Sequence, residues 1–82
     1  SQLTGSDVKA YPNPVGNQLN IKSSDIISGL TVYNIMGQVA LKLAVNSNLA
    51  TVNTSVLKPG LYTVALETTN GKTTVLKVNK AN

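Results

Sequence analysis

Apolar and polar residues alternate along most of this chain, and alternation with a period of two is typical of half-buried β-strands. The alternation is weak from Val8 to Ala10 and clear at Leu19 and Ile21. Further alternating stretches predict strands at residues 30–34, 39–45, 50–54, 61–68 and 73–78. No stretch sustains the period of a helix. The pattern therefore predicts an all-β domain of about seven strands.

Turn residues separate the predicted strands. Residues 23–29 are expected to form a loop from which Ile26 and Ile27 reach the core, and residues 46–48 are expected to form a turn. Residues 1–7 are polar and are expected to be the remnant of a linker, which leaves residues 8–82 as one folded domain.

A hairpin is expected between the third and fourth predicted strands. Its loop length follows from register, because a slip of one residue moves every side chain to the other face of the sheet. An even loop of about two or four residues, with Gly37 at positive φ, would bring the apolar positions of both strands to one face. Those positions, which we expect to be buried, are Leu30, Val32, Val39, Leu41, Leu43 and Val45.

A second hairpin is expected at Asn70-Gly71. This dipeptide usually indicates a two-residue loop, which would pair the apolar Val64 with Lys77. A three-residue loop with Gly71 as a bulge residue favours burial instead. It pairs apolar residues with one another, Val64 with Leu76 and Tyr62 with Val78.

The stretch from Leu57 to Tyr62 reads Leu-Lys-Pro-Gly-Leu-Tyr and leads from a turn into a strand. It resembles the tyrosine corner of immunoglobulin-like domains. The resemblance implies an immunoglobulin-like β-sandwich of about seven antiparallel strands, in which the corner consists of Leu57, Pro59, Gly60 and Tyr62. A buried Tyr62 hydroxyl needs a hydrogen-bond partner, and we expect it to be a backbone carbonyl near Leu57 or Lys58.

Composition excludes several classes of function. The net charge is +4, but all seven cations are lysine and Arg, Trp and Phe are absent, so we expect no nucleic-acid partner. His and Cys are also absent, and the carboxylates Asp7, Asp25 and Glu67 are far apart in sequence. We therefore expect neither an enzyme nor a cofactor or metal site.

No apolar run approaches the roughly 18 residues that span a bilayer, so no membrane span is expected. The chain begins at Ser and shows no signal peptide. We expect it to be a segment of a longer protein.

Three segments together carry a family resemblance. They are Tyr11-Pro12-Asn13-Pro14, residues 32–39 with the sequence Val-Tyr-Asn-Ile-Met-Gly-Gln-Val, and the corner with a tail containing Lys77 and Lys80. In this order and spacing they resemble the C-terminal sorting domain of type IX secretion, type A class. In that family Asp often stands at position 34 and Arg or Lys at position 38, so the Asn and Gln found here remove a possible ion pair at the hairpin tip.

The resemblance implies that the domain is covalently part of a larger cargo protein. It implies partners in the type IX translocon, an outer-membrane shuttle and a sortase. The cargo would pass through the periplasm and then be attached to the cell surface or released. In this interpretation the domain acts by being bound, not by catalysis.

The residues expected to be recognised are Tyr11, Pro12, Asn13, Pro14, Ile35, Met36, Gly37, Gln38, Lys77 and Lys80. Each set also has a structural interpretation: a rigid lead-in for the prolines, a turn that requires Gly37, and edge lysines that deter aggregation. An alternative function is a fibronectin-like spacer or a carbohydrate-binding accessory module of a secreted protein. Sugar binding normally uses exposed aromatic side chains, and the chain has only Tyr11, Tyr33 and Tyr62.

Overall fold

A computed structural model describes residues 3–4, 8–11 and 16–81. Every regular element in these residues is an antiparallel strand. The strands are β1 (Leu3–Thr4), β2 (Val8–Tyr11), β3 (Gln18–Tyr33), β4 (Val39–Asn53), β5 (Gly60–Thr68) and β6 (Thr73–Lys80). The predicted all-β class is therefore confirmed.

The long strand β3 organises the sheet. Strand β4 pairs with one edge of β3 along most of its length. The other edge is shared: β2 pairs with the first part, as in Ala10 with Ile21, and β5 pairs with the last part, as in Val32 with Val64. Strand β1 pairs with the other edge of β2, and β6 pairs with the other edge of β5. The hydrogen bonds thus join all described strands in one sheet.

The sheet is curled, so that both ends of it contribute to a single hydrophobic core. Residues of β2 and the first part of β3 lie in the same buried cluster as residues of β5 and β6. Its members are Val8, Ala10, Leu19, Ile21, Ile27, Leu30, Val32, Ala50, Val52, Tyr62, Val64, Leu66, Leu76 and Val78. Curling lets one sheet bury its inner face without a helix covering it.

The described part of the chain has six strands rather than about seven, and it does not form the two separate sheets expected of an immunoglobulin-like sandwich. The predicted loop at 23–29 lies inside β3, and the predicted turn at 46–48 lies inside β4. Both places are bends with shifts of register. At each bend a serine hydroxyl accepts a hydrogen bond from the amide two residues on, Ser23 from Asp25 and Ser47 from Leu49. These bonds provide the local turn that the polar residues suggested. The pairing of β3 with β4 is interrupted after Lys22 and resumes at Ile27.

The bend in β3 also separates two neighbouring isoleucines. Ile27 is fully buried, as expected, whereas 44% of the Ile26 side chain surface is exposed. The expectation that both reach the core was therefore wrong for Ile26. Successive residues of a strand face opposite sides, and the strand continues through this segment.

The hairpin between β3 and β4 has a three-residue loop, not the even-numbered loop that register predicted. The Asn34 amide donates to the Gln38 carbonyl oxygen, so Ile35, Met36 and Gly37 form the loop. Gly37 has φ of +81°, as expected.

A bulge after the loop restores the register of this hairpin. Val32 pairs with Leu41 but Tyr33 pairs with Val39, which leaves Ala40 as an extra residue. Leu41 and Leu43 consequently lie opposite Val32 and Leu30. Val39 lies before the bulge, on the other face, and is 57% exposed. The prediction that Val39 is buried was therefore wrong. Leu43 lies opposite Leu30 but is 38% exposed, so the prediction that it is buried was also wrong.

The hairpin between β5 and β6 confirms its predicted register. Val64 pairs with Leu76 and Tyr62 with Val78. Its loop repeats the backbone hydrogen bonds of the first hairpin: the Gly71 amide donates to the Thr68 carbonyl oxygen, and the Thr68 amide donates to that of Lys72. Gly71 has φ of +85°, a conformation that glycine adopts without steric cost.

Candidate recognition surface at one end of the sheet

We call residues 34–38, the three-residue loop and the pair that closes it, the hairpin tip. The side chain of Asn34 holds the tip in place. Its Oδ1 accepts hydrogen bonds from the amides of Met36, at 2.9 Å, and Gln38, at 3.0 Å. Its Nδ2 donates to Oε1 of Gln38 at 3.2 Å. A hydrogen bond between two side-chain amides thus links the positions at which the family's Asp and Arg or Lys could form an ion pair. Because the loop is fixed by these bonds, its exposed side chains are displayed in a defined arrangement.

Two apolar side chains project from the hairpin tip. Ile35 and Met36 are each 78% exposed, the largest exposed fractions among the bulky apolar residues that the structure describes. When a partner covers exposed apolar side chains, apolar area is removed from water and the free energy of binding becomes more favourable. The tip therefore has the properties of a binding element.

The corner before β5 orients this end of the sheet. Tyr62 is buried, and its hydroxyl donates a hydrogen bond of 2.7 Å to the carbonyl oxygen of Lys58. Leu57 packs against the core, and Gly60 has φ of +150°. Since the hydroxyl and its acceptor are four residues apart, the bond closes the corner locally.

We expect Tyr62→Phe to lower the free energy of unfolding by about 1–2 kcal/mol, because the Lys58 carbonyl loses its partner in a partly buried place. The measurement is chemical denaturation followed by circular dichroism. Tyr33→Phe is the matched control, since no hydrogen bond of the Tyr33 hydroxyl is found among the described residues, and its effect should stay below about 0.5 kcal/mol. Equal stability of the two variants would show that the corner bond contributes nothing.

The two lysines of the tail lie on opposite faces of β6. Lys77 is exposed on the outer face, whereas Lys80 is only 6% exposed and lies on the inner face with Leu76 and Val78. The Nζ of Lys80 donates to the carbonyl oxygen of Ala81 at 2.8 Å. Lys77 is therefore accessible to a partner in the folded domain, and Lys80 is not.

Lys77 and the hairpin tip line the same groove, although they are about 40 residues apart in sequence. The connection runs across the outer face of three strands, because Tyr33 pairs with Thr63 and Thr63 pairs with Lys77. The groove has a volume of about 320 Å³, and its lining consists of Tyr33, Asn34, Ile35, Gly37, Leu61, Thr63 and Lys77. We call it the tip groove.

Leu61 was not among the expected recognition residues, yet it forms part of the tip groove and is 45% exposed. It adjoins the buried Tyr62 in a strand, so it must face outwards. The alternation along β5 was the available signal. It assigns Leu61 and Thr63 to the face of Lys77 rather than to the core.

The first predicted recognition segment is described only in part. Tyr11 ends β2 and is 38% exposed. Pro12, Asn13 and Pro14 lie outside the described residues. The three tyrosines of the chain lie in different places: Tyr11 is on β2, Tyr33 is at the far end of β3, and Tyr62 is buried.

Comparison with known proteins gives one finding. A family model described as "Secretion system C-terminal sorting domain" matches residues 9–80 of the 82-residue chain. No curated protein matches the chain. The described residues also contain no helix long and apolar enough to cross a membrane.

Proposed function

This chain belongs to the family of secretion system C-terminal sorting domains, and from that membership we propose that it addresses an attached cargo protein to the type IX translocon and sortase. A sorting signal of type IX secretion directs export to the cell surface or into the medium, and the family is not a catalytic one. The proposed action is recognition of a folded surface. The cargo would cross the periplasm before it meets the outer-membrane components.

The observation that carries this proposal is the family match, which spans the hairpin tip, the corner and strand β6 together. The fold adds a reason why these segments act together. The tip and Lys77 line one groove, and the corner fixes the strand that lies between them. A partner can therefore contact several segments at a single site.

The proposal is tested by transplanting residues 1–82 onto the C-terminus of a periplasmic reporter in a bacterium that has the type IX apparatus. We expect the reporter at the cell surface or in the medium, measured by protease accessibility of intact cells and by fractionation. A reporter fused to a scrambled sequence of the same composition should stay in the periplasm. Equal export of both fusions would overturn the proposed function.

A further inference from the structure

We propose that the tip groove is a docking site for a peptide segment of a protein partner in which an acidic residue adjoins apolar ones. An apolar side chain of the partner would lie against Tyr33 and Leu61, while its carboxylate would meet Lys77. The inference rests on the proposed sorting function and specifies the partner's chemistry.

Apolar side chains form part of the lining of the tip groove. Leu61 and Ile35 are exposed to solvent, and Tyr33 is half-buried beside them. Val39 pairs with Tyr33 on the same outer face and is also exposed, so the apolar surface extends beyond the groove. Covering such a surface removes apolar area from water, which favours binding.

The tip groove also carries positive charge. Lys77 is the charged side chain of the groove lining. Lys42 lies on the same outer face and pairs with Thr31, two residues along β3 from Tyr33. The described residues carry two carboxylates. Asp25 lies eight residues before Tyr33 in β3, and Glu67 lies four residues along β5 from Thr63, about 13 Å at the rise of a strand. That separation exceeds the Debye length of about 8 Å at physiological salt. An acidic group on the partner would thus meet a positive potential that the carboxylates on described residues do not neutralise.

The groove also limits which partners fit. Its volume of about 320 Å³ is at the lower end for binding sites, enough for a few side chains of a segment and not for a large ligand. A second copy of the chain would bring another net charge of +4 to the lysines. Electrostatic complementarity favours an acidic partner over a second copy.

The site is arranged before binding. Asn34 fixes the hairpin tip on one side, and the bond from Tyr62 to Lys58 fixes the start of β5 on the other. Little conformational entropy is then lost when a segment enters, which improves affinity.

Binding is tested with the 82-residue chain and a synthetic probe, acetyl-Leu-Asp-Leu-Glu-Leu-amide, followed by ¹H–¹⁵N chemical shift changes. We expect the shifts to concentrate at residues 33–37, 61–63 and 77. The affinity should fall about fivefold to tenfold for Lys77→Gln and for a probe with Asn and Gln in place of the acids. Lys22→Gln, at an exposed lysine in the first part of β3, is the matched control and should bind as the parent does. Shifts elsewhere, or equal affinity for the neutral probe, would overturn the inference.

Export of the reporter fusion separates this inference from the function on which it rests. If the parent domain exports its reporter but Lys77→Gln and Leu61→Ser export it equally well, the docking site is wrong and the sorting function stands. If the parent domain exports nothing, the sorting function is wrong. The probe titration then decides the docking site by itself.

Discussion

Replacing Leu66 with alanine is expected to lower the free energy of unfolding by about 3 kcal/mol, within the range of about 2–5 kcal/mol found for buried leucines. Leu66 has no exposed surface and lies on the inner face of β5, in the middle of the core cluster. A domain of this length has roughly 4–12 kcal/mol of stability in total, so one such cavity removes a large share of it. Urea denaturation followed by circular dichroism measures the change.

Leu61→Ala is the matched control, because it makes the same chemical change on the same strand but on the opposite face. Leu61 is 45% exposed, so its stability change should stay below about 1 kcal/mol. The two variants also separate stability from recognition, since only Leu61 lines the tip groove. A loss at Leu61 as large as that at Leu66 would contradict the assignment of the two faces of β5.

Sequence alternation predicted the second half of the fold well, because there the strands run without interruption. The apolar Tyr62, Val64 and Leu66 alternate along β5, Leu76 and Val78 alternate along β6, and one register brings all five to the inner face. Burial alone therefore chose the three-residue loop at Gly71 over the two-residue loop that Asn-Gly usually indicates. The buried Tyr62 in the corner also has the expected kind of partner, the Lys58 carbonyl.

The first half of the sheet was harder to predict, because polar residues inside a long strand look like a loop. In β3 and β4 the hydroxyls of Ser23 and Ser47 accept hydrogen bonds from backbone amides where the pairing of the two strands is interrupted, and the pairing resumes at Ile27. The hairpin tip presents a similar problem. Bringing the apolar residues of β3 and β4 to one face was expected to require a loop with an even number of residues. The structure instead combines a loop of three residues with an extra residue at Ala40. A pattern of period two cannot distinguish these solutions, since each restores the apolar residues that follow to the same face.

The sequence identified most parts of the candidate site but not how they meet. The hairpin tip and the tail were recognised as separate motifs. They line one groove because β5 lies between β3 and β6. The distinction between the two lysines was nevertheless readable. Lys77 and Lys80 are three residues apart in a strand, so they must face opposite sides, and Lys80 shares the inner face with Val78.

The burial of β6 residues also decides how its role should be tested. Deleting residues 77–82 would remove the buried Val78 and Lys80 together with the exposed Lys77. Loss of export by such a truncation would then report unfolding as much as loss of recognition. Single substitutions on the outer face avoid this ambiguity, because they leave the core intact.

The largest functional effect is expected at the hairpin tip. The double substitution Ile35→Ser and Met36→Ser should reduce surface export of a fused reporter by about tenfold or more, because a partner that covers the tip would lose the apolar area of both side chains from the contact. Both side chains are 78% exposed, so the free energy of unfolding should change by less than about 0.5 kcal/mol. Export is measured by protease accessibility on intact cells, and folding by thermal denaturation of the purified variant.

Val56→Ser provides the matched control for the tip. Val56 is 69% exposed, but it lies in the loop before the corner and does not line the tip groove. If recognition depended on exposed hydrophobicity in general, this change would reduce export as strongly as the change at the tip. If it depends on the surface formed by the tip, Val56→Ser should export normally. Normal export by the tip variant, with its fold intact, would instead exclude Ile35 and Met36 from the contact and direct attention to the remaining outer face of the sheet.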